Sequence, residues 1–252
     1  MSSDIWTQCE GRSEIRALAL SPWRVVESQH QVSTRKLVNT LEEQALLEAL
    51  IDGAKPPDAT RGRQHYLLFT PFRYPPLRHG SRFGDRNGRG IWYGAESVST
   101  AMAEVAYYRL IFLEGTAATL DGVSVELSAF VVRARTTRGV DLVAPPFDEH
   151  RRVLASRDRY EATQALGAAM RADGVETCRY PSARDPRGGV NVAVFTAQVF
   201  GRSAPRDFQR WQCVANRTRV EMTRRDYTAS ESLSFDRSVF LVRGQLPMPA
   251  LD

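Results

Sequence analysis

The chain has 252 residues, 42% of them hydrophobic and 25% charged. That suffices for one large domain or two small ones, with a core that needs no disulfide or metal to stay folded. The N-terminal stretch MSSDIWTQCEGRSEIR lacks the apolar core of a signal peptide, and no run of eighteen apolar residues occurs. These features argue against an export signal and a membrane span, and a cytoplasmic location is expected.

The formal net charge of +5 is carried almost wholly by arginine, since lysine occurs only at Lys36 and Lys55. Arginine's planar fork suits phosphate and carboxylate partners. Acids and bases are nevertheless interspersed, and the densest basic stretch, Arg202 to Arg225, still contains Asp207 and Glu221. A dedicated nucleic-acid face is therefore weakly supported. Cys9, Cys178 and Cys213 are far apart, form no CxxC pair and have no histidine close by. Isolated thiols in a reducing compartment fit better than a disulfide framework or a zinc site, and no metal is expected.

In chain order, residues 1–22 read as a peripheral arm ahead of one domain over 23–252. TRKLVNTLEEQALLEALID (34–52) has leucines at helical spacing, with Gly53 just past the end, and predicts a helix. After a Pro/Gly-rich connector, YLLFT (66–70) predicts a short strand ended by Pro71. The glycine- and proline-rich segment to Gly90 predicts a loop with a turn at Asn87-Gly88. IWYGA (91–95) predicts a strand. A helix should start near Ser97 to Thr100, where N-cap residues cluster, and stop before Gly115. VSVELSAFVVRAR (123–135) alternates as a strand does, and VDLV (140–143) predicts another. RDRYEATQALGAAMRADG (157–174) predicts an amphipathic helix closed by glycine. VNVAVFTAQVF (190–200) and SVFLVRG (238–244) predict the last strands. Helices and strands mix without regular alternation, which favours a single α/β (α+β) domain with a central mixed sheet flanked by helices.

Glu104 is the only charged side chain between Val98 and Tyr108, on a helix that is apolar nearly all round. Buried carboxylates are costly unless paired or hydrogen-bonded. Glu104 is therefore either half of a structural ion pair, with Arg109 or a distant arginine, or part of a functional site. Arg82 lies between Gly80 and Gly84, which would let a ligand approach the backbone. Tyr93 closes the following strand. Arg82, Tyr93 and Glu104 thus fall at eleven-residue intervals on loop, strand end and helix. The glycines match neither GxGxxG nor GxxxxGK[ST]. RYPSARDPRGGVN adds Ser182 and Arg184, with Gly188 and Gly189 to free the backbone. No GxSxG elbow or nearby histidine activates Ser182, so a hydrogen-bonding role suits its hydroxyl better than nucleophilic attack.

RFGDRNGRGIWYGAESVSTAMAEVAYY followed by YPSARDPRGGVNVAVF closely resembles the RES-domain family, and WRVVESQHQVSTRKLVNTLEEQALLEALI resembles the N-terminal extension of its longer members. The resemblance covers about residues 23–200, with a motif core of about 66–200. It implies a fold related to bacterial ADP-ribosyltransferase toxins, and a toxin that cleaves the nicotinamide–ribose bond of NAD, its co-substrate. The ADP-ribose would pass to a target protein, or otherwise to phosphate or water. It also implies a cognate antitoxin protein with a DNA-binding module. The family's active-site arginine, tyrosine, glutamate and serine would fall on Arg82, Tyr93, Glu104 and Ser182, with Arg184 adding a ligand contact. Two alternatives compete. One is a non-enzymatic, arginine-rich nucleic-acid-binding module; the other is a ribonuclease, which lacks an obvious histidine pair in the motif region.

Overall fold

A computed structural model describes residues 4–28, 40, 42–43, 46, 50, 65–74, 80–117, 120–225 and 230–248. The helix expected over 34–52 falls, apart from isolated positions, outside the described residues. Among the described residues ten strands form one mixed sheet, flanked by helices, in a single α+β domain. They are β1 (Arg16–Leu20), β2 (Trp23–Glu27), β3 (Trp92–Ala95), β4 (Val123–Val131) and β5 (Ala134–Asp141), followed by β6 (Thr177–Pro181), β7 (Val190–Val194), β8 (Arg206–Ala215), β9 (Arg219–Arg225) and β10 (Ser230–Asp236). Their order is β1-β5-β6-β7-β3-β2-β4-β8-β9-β10, and only β5 and β6 run parallel. Residues 5–20 lie at one edge, where α1 (Ile5–Gln8) buries Trp6 and β1 pairs with β5.

Alternation along the strands divides the core. On β3 and β7, Trp92, Val192 and Val194 pack on one face with Leu68, Phe130 and Phe200. Tyr93 and Ala193 face the other way, beside Cys178 and Tyr180 of β6. Two helices cover this second face. The longer, α3 (Val98–Gly115), starts where Ser97 Oγ accepts the Thr100 N–H at 3.1 Å. It buries Met102, Ala103, Ala106, Leu110 and Leu113 against Leu127 and Trp211. The shorter, α5 (Glu161–Ala172), follows a one-turn helix α4 (Arg151–Leu154) and ends at Asp173, with Gly174 at φ 75°, the left-handed position that glycine fills at least cost. Trp211 is 1% exposed at the centre of the larger cluster. Trp211→Ala is expected to cost about 3–5 kcal/mol, read from denaturant unfolding.

Several elements differ from expectation. YLLFT forms a helix, α2 (Tyr66–Arg73), with Pro71 inside it. Five apolar residues fit a strand or a helix equally, and here His65 caps the helix by accepting the Leu67 N–H at 3.3 Å. The alternating run 123–135 is two strands, β4 and β5, interrupted at Val132, whose N–H turns to Pro22 O at 3.1 Å. VDLV is only the end of β5. The strand from Val190 stops at Val194, and Ala197–Phe200 is a short 3-10 turn. SVFLVRG is not a strand: Arg237–Phe240 forms another such turn, with only an isolated bridge from Val242 to Gln245. The turn at Asn87-Gly88 is present, closed by Gly88 N–H to Asp85 O at 3.3 Å. Cys9, Cys178 and Cys213 are free and buried, and burial pushes each thiol up from its ordinary value.

Candidate active site

α3, β3 and the loop before β3 enclose a cavity of ≈ 320 Å³ whose wall includes Arg82, Tyr93 and Glu104. The sequence spacing is thus resolved into one place: the arginine from the loop, the tyrosine from the strand, the glutamate from the second turn of the helix. Tyr108, Tyr160 and Tyr180 add three more rings to the wall, and Arg24 of β2 adds a second cation. Glu104 is the one acid among the described lining residues.

Glu104 is held by neutral donors. Ser182 Oγ donates to its Oε1 at 2.8 Å, and Asn191 Nδ2 donates to the same oxygen at 2.6 Å. Among the described residues no cation pairs with it and no donor reaches Oε2. Arg109, the nearby candidate for an ion pair, instead bonds Glu27. A carboxylate fixed through one oxygen by uncharged groups keeps its charge available to a ligand.

The loop after β6 shapes itself around Ser182. Its hydroxyl accepts the backbone N–H groups of Arg184 and Asp185, at 3.1 and 3.0 Å, while donating to Glu104. Its own N–H closes the loop on Gly189 O at 2.8 Å. Asp185 Oδ2 accepts from Thr100 Oγ1 at 2.7 Å, which ties the loop to the first turn of α3. A Cβ on Gly189 would lie 2.1 Å from Thr100 Oγ1, so this approach requires glycine. Arg184 is buried elsewhere, 3.5 Å from the Tyr107 ring centre with Nη2 on Arg157 O, and does not line the cavity.

Arg82 is 8% exposed, with its guanidinium 4.6 Å from the Tyr160 ring centre. Nη1 donates to Leu154 O at 3.0 Å and Nη2 to Ser156 O at 2.9 Å, fastening the loop to the end of α4. The Tyr93 hydroxyl shares a hydrogen bond with Ser81 Oγ at 2.9 Å and accepts the Phe83 N–H at 3.2 Å. Burial pushes its pKa up to about 12, so it stays a neutral phenol. Burial also holds Tyr180 well above its ordinary value.

Asn191 and Arg24 escaped the reading of the sequence. Asn191 is the one polar residue within the strand VNVAV, and that isolation was a usable signal. Arg24 is a lone charge in WRVV, a weaker signal because arginines on strands are common. Tyr160 and Tyr180 carry no sequence signal that separates them from core aromatics.

No helix among the described residues is long and apolar enough to cross a membrane. A search of curated proteins found no match. The family model described as the RES domain matches residues 56–216, which span the segment from Arg82 to Asn191. That match covers more than half of the chain and includes the glutamate, its serine and asparagine donors, and the loop arginine, so the chain belongs to the RES-domain family.

Proposed function

We propose that the chain is the toxin of a toxin–antitoxin pair and cleaves the nicotinamide–ribose bond of NAD, passing ADP-ribose to a target protein or otherwise to phosphate or water. The RES domain is associated with toxin–antitoxin systems and NAD-related activity. The observation that carries the reading is Glu104: one carboxylate on the wall of an aromatic cavity, oriented by Ser182 and Asn191 and unpaired with any described cation.

Cleaving this bond builds positive charge on the ribose, as in glycoside hydrolysis. The pyridinium leaves without protonation, so the protein must orient the substrate and stabilise developing charge. Glu104 supplies that charge, with Oε2 placed to take a ribose hydroxyl. Tyr93 and its neighbouring rings offer π-faces to the cationic pyridinium. Ser182 serves through Glu104, by fixing the carboxylate, and Arg184 supports the loop that carries Ser182. Arg82 supplies positive charge on the wall for the phosphates, while its two carbonyl bonds hold the loop in place. Arg82→Lys keeps the charge and loses the fork. It is expected to raise the Kd for NAD about tenfold, and unchanged binding by calorimetry would remove Arg82 from the site.

Incubation with NAD labelled in the adenosine half, in cell extract, tests the transfer. Label on a protein supports the transferase; label in free ADP-ribose or its phosphate assigns water or phosphate as acceptor. Absence of any product would overturn the enzymatic reading. The antitoxin would bring the DNA-binding module, so this chain needs no nucleic-acid face. Within the basic stretch Arg202–Arg225, Arg219 already pairs with Glu221 and Asp236.

A further inference from the structure

RRVLASRDR (151–159) carries four arginines and one aspartate in nine residues. Its backbone serves the interior: Leu154 O and Ser156 O accept from Arg82, and Arg157 O accepts from Arg184 Nη2 at 2.9 Å. Its arginine side chains stay at the surface, with Arg151, Arg152 and Arg159 exposed and Arg157 half-buried. Like charges gathered on one short stretch repel one another. The one acid gives little relief, because Asp158 Oδ1 accepts from Ser156 Oγ at 3.1 Å while that hydroxyl accepts the Arg159 N–H at 3.2 Å.

Arg151, Arg152 and Arg157 surround an open hollow of ≈ 650 Å³, with Ala155 and Val242 as its apolar lining. Arg151 also reaches the loop after β6, where a Cβ on Gly188 would lie 3.3 Å from its Nη2. Among the described residues no carboxylate pairs with Arg151, Arg152, Arg157 or Arg159. Elsewhere Arg12, Arg109, Arg179, Arg219 and Arg237 each pair with an acid. Three arginines converging on one concave place without acids to offset them set a positive field there.

We propose that this hollow docks an acidic segment of a partner protein, with carboxylates on Arg151, Arg152 and Arg157 and a small apolar side chain against Ala155 and Val242. Arginine forks take carboxylates by paired, charge-assisted bonds. No aromatic ring is among the described lining residues, so the hollow lacks the platform on which the bases of a nucleic acid stack. A hollow of ≈ 650 Å³ suits a ligand far larger than one phosphate group. The bonds from Arg82 and Arg184 fix the backbone of the stretch before a partner arrives, which lowers the ordering cost of docking. Tyr160, at the end of the same stretch, lines the Glu104 cavity, yet hollow and cavity share no residue. A partner is thus held beside the cavity without using a residue of the substrate's site, and the inference stands apart from the NAD-cleaving reading.

The test is fluorescence anisotropy of a labelled glutamate–alanine peptide titrated with the full chain, without NAD. The peptide is expected to bind, more weakly as salt rises, and a glutamine–alanine peptide is expected not to bind. Arg152→Glu together with Arg157→Glu should raise the Kd about tenfold or more, the scale of exposed ion pairs lost and replaced by like charges. Arg206→Glu together with Arg210→Glu, both exposed on β8, changes the net charge equally and should leave the Kd unchanged. If the first pair melts below the assay temperature, Arg152→Gln with Arg157→Gln replaces it, with a smaller rise expected. No binding by the wild type, unchanged binding in the hollow variant or an equal loss in the β8 variant overturns the proposal. Tighter binding of single-stranded DNA than of the acidic peptide through the same two arginines overturns it as well. Nicotinamide release from NAD, read in parallel, should be unchanged in the hollow variant, so the docking site and the NAD-cleaving reading fail separately.

Discussion

Glu104→Gln is expected to lower nicotinamide release from NAD about a hundred- to a thousandfold while leaving the fold intact. The two outcomes separate because the side chain has two jobs on two oxygens. Oε1 accepts from Ser182 and Asn191, and a glutamine oxygen can take over both bonds. Glutamine has the same length, so α3 keeps its packing and the loop after β6 keeps its anchor. The loss is the negative charge beside the developing ribosyl cation. Removing one preorganised electrostatic partner costs about 2.7–4 kcal/mol in other active sites, which sets the expected factor. NAD binding by calorimetry should change little by comparison, since the charge matters most in the transition state. A variant that folds and turns over at the wild-type rate would show that Glu104 is structural.

Gly167→Ala is expected to damage both stability and activity. Gly167 lies on α5 where its backbone touches the loop of Arg82: an added Cβ would fall 2.1 Å from Phe83 O and 2.8 Å from Phe83 C. These are backbone atoms, so the clash cannot be relieved by turning a side chain. Phe83 O also accepts from Arg171 Nη1 at 2.9 Å, and the Phe83 ring meets Tyr180 edge-on at 4.8 Å. Overpacking costs about 1–3 kcal/mol or more, and the helix propensity of alanine returns about 1 kcal/mol of that. A net loss of about 2 kcal/mol lowers Tm by about 4–8 °C for a chain of this size. The displaced loop carries Arg82 and the Phe83 N–H that holds the Tyr93 hydroxyl, so activity should fall with it. An unchanged Tm would mean that α5 and the loop sit farther apart than described.

How much of this was legible beforehand follows from the range of each interaction. The start of α3 at Ser97 and the end of α5 at Gly174 are local events, written in capping residues. Glu104 stood out because a lone charge on an apolar helix must find partners. What it found was not legible: Ser182 and Asn191 come from 78 and 87 residues away, through a sheet order that places β7 beside β3 and β2 beside β4. The helix α2 was misread because five apolar residues carry no period, and the decision came from the His65 cap. SVFLVRG failed for a related reason, since a short apolar run packs as readily in turns as in a strand. Arg24 shows the limit most plainly. Its sequence neighbours make it an ordinary strand arginine, and only the placing of β2 beside β3 brings it to the wall of the Glu104 cavity.

The tyrosines make a similar point about composition. Tyr93, Tyr108, Tyr160 and Tyr180 come from two strands, a helix and a cap position, and no spacing links them, yet all four line the Glu104 cavity. The basic surplus is also clarified by structure. Arg237 binds Glu114 through both terminal nitrogens, and Arg179 bridges Glu96 and Asp141. Many arginines are thus spent within the fold, and the two on the cavity wall matter by position rather than by number.

The central claim is tested most directly by incubating purified chain with NAD and following nicotinamide by chromatography, with Glu104→Gln alongside. Release by the wild type, lost in a variant of unchanged Tm, is the predicted result. No release by the wild type, even with cell extract supplied as acceptor, would contradict the account and leave an arginine-rich binding module to be tested by salt titration against nucleic acid.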